Sequence, residues 1–348
     1  MSTFGLEDVD PALAESMVAR LADVEEALAV AAASDDPFID EAAGYLLRAG
    51  GKRFRPMLTL LAAQLGDVDN DDVIKAAVAV ELVHLASLYH DDVMDEAPRR
   101  RGADSANTRW TNTIAILTGD FLFARSSGIL ADLGPEAVRI QAMTFERLVS
   151  GQIKETVGPA ENTDAVAHHI DVLADKTGVL IATAARYGAM FSGCGPDVVE
   201  ALREYGEAIG IAFQIADDIL DIASPGEVSG KTPGTDLREG VMTLPMLLAQ
   251  AANLPSDARL LSLLGRPLPD DNDHAEALAL LREHHAMEQA RAEARRYAGI
   301  AAEALAPIRG ALAVEMLAAG EDSPQLLRRQ AALSAMLGLC DDVVSRAS

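Results

Sequence analysis

The stretch NDDVIKAAVAVELVHLASLYHDDVMD, residues 70–95, decides the reading of the fold. From Val73 to Tyr89 it is apolar on nearly every face of a helix, with Lys75, Glu81, His84 and Ser87 the few interruptions. A helix apolar all round belongs inside a bundle, not on a surface. It ends in three aspartates, Asp91, Asp92 and Asp95. The same arrangement recurs once: residues 208–222, AIGIAFQIADDILDI, end an apolar run in Asp217, Asp218 and Asp221.

Working outward, apolar residues recur at three-to-four spacing in 11–31, 38–49, 56–66, 70–95, 106–131, 136–157, 165–190, 197–222, 242–252, 273–304 and 325–345. Alanine, leucine, glutamate and arginine are plentiful, and alternating β-branched runs are absent. The reading is an all-α bundle of ten or more helices in one domain, residues 1–348. A motif-bearing core spans about 43–247 and a helical C-terminal part about 273–345. Segment 275–304 is two-faced and is expected on the outside. Pro255–Asp273 and Gly310–Pro324 read as connections, the first solvated.

In each acidic cluster the first and last aspartates are four residues apart and share one helix face. Gathered at the end of an apolar helix, such anions repel one another and lose hydration unless positive charge arrives. A divalent cation supplies it, and carboxylate-only ligation with room for water and phosphate suits Mg2+. Neither cluster has the alternating ligands, central glycine and closing glutamate of a calcium loop. Asp270–Asp273 and Asp341–Asp342 read as solvated surface.

Nine basic residues precede Gly102, and six form two knots: Lys52, Arg53 and Arg55, then Arg99, Arg100 and Arg101. Gly50-Gly51 lets backbone approach a ligand closely, and Pro56 suits the first turn of a helix. Arginine forks and a lysine at a helix start are suited to phosphate oxygens. No GxxxxGK[ST] loop is present, so nucleotide hydrolysis is not implied. The ligand expected is a diphosphate head on an apolar tail, in a cavity charged at its mouth and oily below.

Composition narrows the rest. A formal charge of −25 repels nucleic acid and anionic lipid. Two cysteines, Cys194 and Cys340, make no disulfide framework. With no basic opening segment and apolar runs such as Met57–Ala63 soon interrupted, a cytoplasmic protein without a membrane span is expected.

These motifs together resemble the trans-type polyprenyl diphosphate synthases, isoprenoid chain-elongating prenyltransferases. Gly50-Gly51-Lys52-Arg53-Phe54-Arg55-Pro56, Asp91–Asp95 with Arg100-Arg101-Gly102, Gly151-Gln152, Lys176-Thr177-Gly178, Phe213-Gln214 before Asp217–Asp221, Gly230-Lys231 and Asp236 all fall in the family's order. The resemblance implies the isoprenoid synthase fold and a homodimer. It implies that Asp91 and Asp95, helped by Asp92, and Asp217 with Asp218 and Asp221, hold magnesium. Arg100, Lys176, Thr177, Gln214 and Lys231 would hold an allylic prenyl diphosphate, and Lys52, Arg55, His84 and Arg101 isopentenyl diphosphate; Asp91, Asp92, Asp95, Lys176 and Asp217 would carry catalysis. Taken alone, Lys176 reads equally as a helix-end cation, His84 as a core histidine and Gln214 as a buried amide. One position departs: Val241 stands where many members have lysine.

Residues one turn before Asp91 wall the growing tail, and Ala86 and Ser87 are small where short-chain members carry aromatics. A product longer than geranylgeranyl is therefore expected, with Phe121, Phe123 or Phe145 available as a deeper floor. The alternatives are a geranylgeranyl or farnesyl diphosphate synthase, a class I terpene cyclase, or a non-catalytic partner subunit. A cyclase has no use for Gly50–Pro56, and a silent subunit has no need of six aspartates.

Overall fold

The computed structural model describes residues 9–224, 233–319 and 323–347. The chain begins with α1 (Pro11–Ala32), α2 (Pro37–Ala43), α3 (Tyr45–Arg48), α4 (Phe54–Ala63) and α5 (Asp71–Met94). A two-stranded ribbon of β1 (Arg99–Arg100) and β2 (Ala103–Asp104) leads to α6 (Ala106–Arg109), α7 (Asn112–Leu133) and α8 (Pro135–Val157). Then come α9 (Ala165–Leu173), a π-helical turn (Ala174–Gly178), α10 (Val179–Phe191) and α11 (Pro196–Ala223). The remainder is α12 (Thr235–Glu239), α13 (Leu244–Ala252), α14 (Ala258–Leu263), α15 (Asp271–Glu283), α16 (Ala286–Ala304), α17 (Ala306–Ala319) and α18 (Pro324–Ala347). The all-α class is as the sequence reads.

Two compact units form. One comprises Met1–Glu146, Leu180–Gly206 and Ala304–Gly338; the other comprises Arg147–Val179, Glu207–Glu303 and Leu339–Ser348. Each is assembled from three separated stretches, which is why no linker divides the sequence.

In the first unit α5 is the central helix, packed by α1, α4, α6 and α7. Asn70 caps it, its side chain accepting from the Asp72 amide at 3.0 Å, and Asp71 and Asp72 meet the positive end of the helix dipole. Val73, Val80, Leu82, Val83, Leu85 and Tyr89 are all fully buried. Each large apolar side chain so buried contributes about 1.5–3 kcal/mol. Helix α1 starts at Asp10, whose carboxylate accepts from the amides of Ala12 and Leu13. It lays Leu13, Met17, Val24, Leu28 and Ala32 along one stripe. In the second unit α15 packs against α12, α13 and α14.

The structure corrects two expectations. Pro255–Asp273 is solvated as expected over most of its length, but it is not a bare connection: it contains a 3-10 turn and α14, and it buries Leu260, Leu263 and Leu268. Gly310–Pro324 does not begin a connection, because α17 runs through Gly310 to Ala319; an exposed glycine weakens a helix by about 1 kcal/mol without ending it. Among the described residues, α5 and α7 are long and apolar enough to cross a membrane by length and composition alone. Two-thirds of the apolar stretch of α5 is inside the protein, as befits a core helix, against one-third for α7.

Close packing in the first unit depends on Gly188 of α10, where a Cβ would collide with the Thr59 carbonyl of α4 and come within 2.7 Å of the Ala62 methyl. Replacing Gly188 by alanine is expected to destabilise the protein by about 1–3 kcal/mol, read as a lower urea midpoint with an unchanged slope.

Candidate active site

The first acidic motif closes α5. Asp91 and Asp95 lie one turn apart, joined by the Asp95 amide donating to the Asp91 carbonyl at 2.8 Å. Asp92 points the other way and is fully buried. Its Oδ1 accepts from Arg100 Nε at 2.5 Å, while its Oδ2 has no protein partner. Burial pushes the Asp92 carboxyl up from its usual range, opposed by Arg100. Asp92 therefore orients an arginine, leaving Asp91 and Asp95 to face outward.

Arg100 reaches Asp92 because β1 and β2 pair as a hairpin, Arg99 opposite Asp104 and Arg100 opposite Ala103. The two residues between, Arg101 and Gly102, both have positive φ (52° and 80°), the hand that a two-residue hairpin loop requires. This turn sends Arg101 back to donate to the carbonyl of Leu46, at 3.0 Å, and to that of Gly50.

Thus the two basic knots meet in the first unit. A Cβ on Gly51 would lie 2.8 Å from Arg101 Nη2 and 3.0 Å from Arg53 Nη1, so the glycine lets the loop approach both guanidiniums closely. Arg55 and His84 complete the group, and Glu81 lies buried among them. Burial, with Arg55 and Arg101 nearby, drives His84 well below its ordinary value and keeps it neutral. Burial lowers Arg55 and Arg101 and raises Glu81. Arg55 Nε is buried without a protein partner, and Lys52 is exposed at the rim.

Arg53 behaves differently from its neighbours. It adopts the left-handed conformation (φ 50°) immediately before α4 and is 6% exposed. Its guanidinium donates to Glu25 of α1, to Glu81 of α5 at 3.1 Å and to the Leu47 carbonyl at 3.1 Å. Sequence reasoning places Arg53 in a phosphate-binding knot and misses Glu25 and Glu81. The lone glutamate inside the apolar run of α5 is the available signal, since a buried carboxylate demands a cation.

The second unit carries the second motif in the same pattern, with Asp217 exposed and Asp218 buried. Gln214, one turn earlier on α11, donates to Asp218 Oδ1 at 3.2 Å and accepts from Thr177 Oγ at 3.3 Å. His169 Nε2 is 3.5 Å from Asp218 Oδ2. Asp221 accepts from the amides of Thr235 and Asp236, each at 3.2 Å, and so anchors the start of α12.

Thr177 and Lys176 sit on the π-helical turn, a wide turn often found at functional sites. Asp175 pins it, accepting from Arg147 Nε at 2.8 Å and Lys154 Nζ at 2.7 Å, while Arg147 also reaches Glu207 at 2.6 Å. Burial opposes ionisation of Asp175, but these two cations hold its carboxyl below the usual range. Lys176 Nζ pairs with Glu155 at 2.5 Å. A Cβ on Gly151 would come within 2.7 Å of the Lys176 amide, which explains the Gly151-Gln152 motif as a close approach of α8 to this turn. Val241 is half exposed, its amide tied to the Asp236 carbonyl at 2.8 Å. Gly230 and Lys231 lie outside the described residues.

Residues 36–281 match the family model for polyprenyl synthetase. The chain belongs to the polyprenyl synthetase family. It is accordingly a prenyltransferase. A nonaprenyl diphosphate synthase of Mycobacterium tuberculosis is 48% identical over 303 residues, 87% of this chain and 90% of that one. A geranylgeranyl pyrophosphate synthase from Corynebacterium glutamicum, complexed with calcium and isoprenyl diphosphate, superposes with a TM-score of 0.82 at 42% identity, covering 97% and 98% of the two chains. A decaprenyl diphosphate synthase from Rhodobacter capsulatus gives 0.80 at 32% identity over 97% and 98%.

Viewed as a polyprenyl synthetase, the first unit has one more feature of interest. Between α7 and α8 lies a cavity of about 310 Å³, lined by Phe123, Leu130, Val138, Ala142 and Phe145 among others. Phe123 and Phe145 meet edge to face with ring centroids 4.5 Å apart, and His90 of α5 approaches Phe123 at 5.7 Å. Gly119 of α7 is pressed against His90 and the Ala86 carbonyl. Phe121 lies elsewhere, under the Arg125 guanidinium at 4.9 Å.

The neutral state of His84 has a measurable sign. Below the free value of about 6.5 the unfolded chain gains a proton there and the folded chain does not, so stability falls with pH by up to about 1.4 kcal/mol per unit until the folded value is reached. Urea unfolding between pH 7.5 and 5.5 should show a shallower decline for His84→Gln than for the native protein.

Proposed function

We propose that this polyprenyl synthetase condenses isopentenyl diphosphate with an allylic prenyl diphosphate to give a long all-trans polyprenyl diphosphate. The observation that carries the length is the small-walled face of α5 beside the α7–α8 cavity. Ala86 adds only a methyl group, and the Ser87 hydroxyl is turned back to the His84 carbonyl at 2.9 Å, so neither blocks a tail. The names of the nonaprenyl and decaprenyl relatives support the same class of product.

The donor set fits magnesium. Among the described residues no three histidine, cysteine or acidic side chains converge as a ready-made metal cage. Magnesium commonly takes one or two carboxylates and fills its shell with phosphate and water, which is what Asp91 with Asp95, and Asp217 with Asp221, can offer. The calcium-bound relative supports a divalent ion. Bound there, magnesium would neutralise the allylic diphosphate and make it a better leaving group.

The protein's own groups then divide the work. Arg100, oriented by Asp92, holds the allylic diphosphate together with Lys176, Thr177, Gln214 and Lys231. Lys52, Arg55, neutral His84 and Arg101 hold isopentenyl diphosphate so that its double bond faces the allylic C1. The allylic carbon–oxygen bond breaks and its electron pair leaves with the diphosphate. The double bond supplies the new carbon–carbon bond, and a proton leaves the neighbouring carbon for the departed diphosphate. Catalysis is electrostatic: cations placed beforehand stabilise the charge that develops on the leaving group.

The working form is a cytoplasmic homodimer. Ile116 and Leu117 of α7 and Val138 and Met143 of α8 are exposed apolar residues that a second copy would cover. Asp120 and Arg125, exposed on the same helix, make it unsuited to a bilayer interior. Two free cysteines accord with a reducing compartment.

Purified protein given magnesium, isopentenyl diphosphate and, in separate reactions, dimethylallyl, geranyl, farnesyl or geranylgeranyl diphosphate should yield elongated diphosphates by mass spectrometry. Chelation of the metal should abolish them, and Asp91→Asn should lower kcat by about a hundred-fold or more. Ala86→Phe is expected to shorten the product by at least one five-carbon unit, and Phe123→Ala or Phe145→Ala to lengthen it. Unchanged lengths would remove the cavity from the account of product size.

A further inference from the structure

Glu25 lies on α1, before the 36–281 stretch that the family model matches and outside every motif of the sequence. It nonetheless grips Arg53 through two donors, Nε and Nη2. Arg53 is held in turn by Glu81 at 3.1 Å and by the Leu47 carbonyl at 3.1 Å. Four of its five N–H groups are thereby engaged within the protein, at a residue that is 6% exposed. Arg53 is therefore a strut rather than a phosphate ligand.

The strut bears on the loop that carries Lys52 and Arg55. Arg53 stands at a left-handed backbone position, which side chains rarely adopt unless their surroundings impose it. Its Nη1 and Arg101 Nη2 both lie against Gly51, at 3.0 and 2.8 Å from where a Cβ would be. Without the Glu25 charge, Glu81 alone would balance Arg53, Arg55 and Arg101, and the loop would lose two of the contacts that hold Arg53 in its left-handed conformation.

We propose that Glu25 is a positioning residue for the isopentenyl diphosphate site, acting through Arg53 to hold the Gly50–Arg55 loop against Arg101 from the N-terminal helix. This rests on the substrate assignment above. Glu25→Gln keeps the size of the side chain and removes its charge. Expected are an isopentenyl diphosphate KM raised about ten-fold, an allylic diphosphate KM within two-fold of native, and faster hydrogen exchange at the amides of residues 50–53. Glu41→Gln, which breaks the exposed pair with Arg109, serves as the comparison and should change none of these.

Equal rises in both KM values, or a lower kcat with both KM values unchanged, would show a merely structural role and overturn the proposal. So would native exchange at residues 50–53 in a folded Glu25→Gln protein. If the native protein elongates no allylic primer, the function assigned above fails instead, and with it the substrate named here. The exchange measurement would still decide whether Glu25 holds the loop.

Discussion

A charge can enter an apolar helix only where an opposite charge meets it, and α5 is built around that constraint. Glu81 sits in the middle of a helix buried on nearly every side, where an unpaired carboxylate would cost several kcal/mol. Arg53 answers it directly, with Arg55 and Arg101 close by. Two segments distant in sequence, the Gly50–Arg55 loop and the β1–β2 hairpin, are drawn to one point on α5 by that requirement, and α1 adds Glu25 as a second partner for Arg53. The surplus positive charge left there is what a diphosphate needs. The polar core of the first unit and the substrate site proposed for it are thus a single arrangement.

The two acidic motifs repeat each other in burial as well as in spacing. In both, the middle aspartate turns inward and orients a polar side chain, Arg100 for Asp92 and Gln214 for Asp218, while the first turns outward. A helix places neighbours about 100° apart, so adjacent aspartates cannot share a task. This division gives each motif one carboxylate more open to solvent and one turned into the protein. The fifth positions diverge, Asp95 remaining exposed and Asp221 tying down α12.

Much of this is legible in the sequence. The all-α class, the span of α5, both acidic motifs and the two basic knots emerge from periodicity and spacing, which depend on near neighbours along the chain. Arg53 escapes such reasoning because its burial is decided by Glu25 and Glu81, each 28 residues away, and nothing local to Lys52–Arg55 distinguishes it. The hairpin that aims Arg101 is too short to leave an alternating pattern. Within α17, Gly310 looks like punctuation, whereas a glycine inside a helix weakens it without ending it. Lys176 and Thr177 can be named from their motif, but the π-helical turn beneath them leaves no compositional trace.

That turn has a further consequence. A widened turn amounts to one surplus residue in a helical stretch, and such a defect could in principle creep along the chain, each step turning the residue it passes by about 100°. Asp175, clamped by Arg147 and Lys154, stops the creep at one address. The clamp works as a vernier: it fixes the rotational phase of α9 against the turn, so that His169 upstream and Thr177 within the turn both come to bear on the side chains of α11.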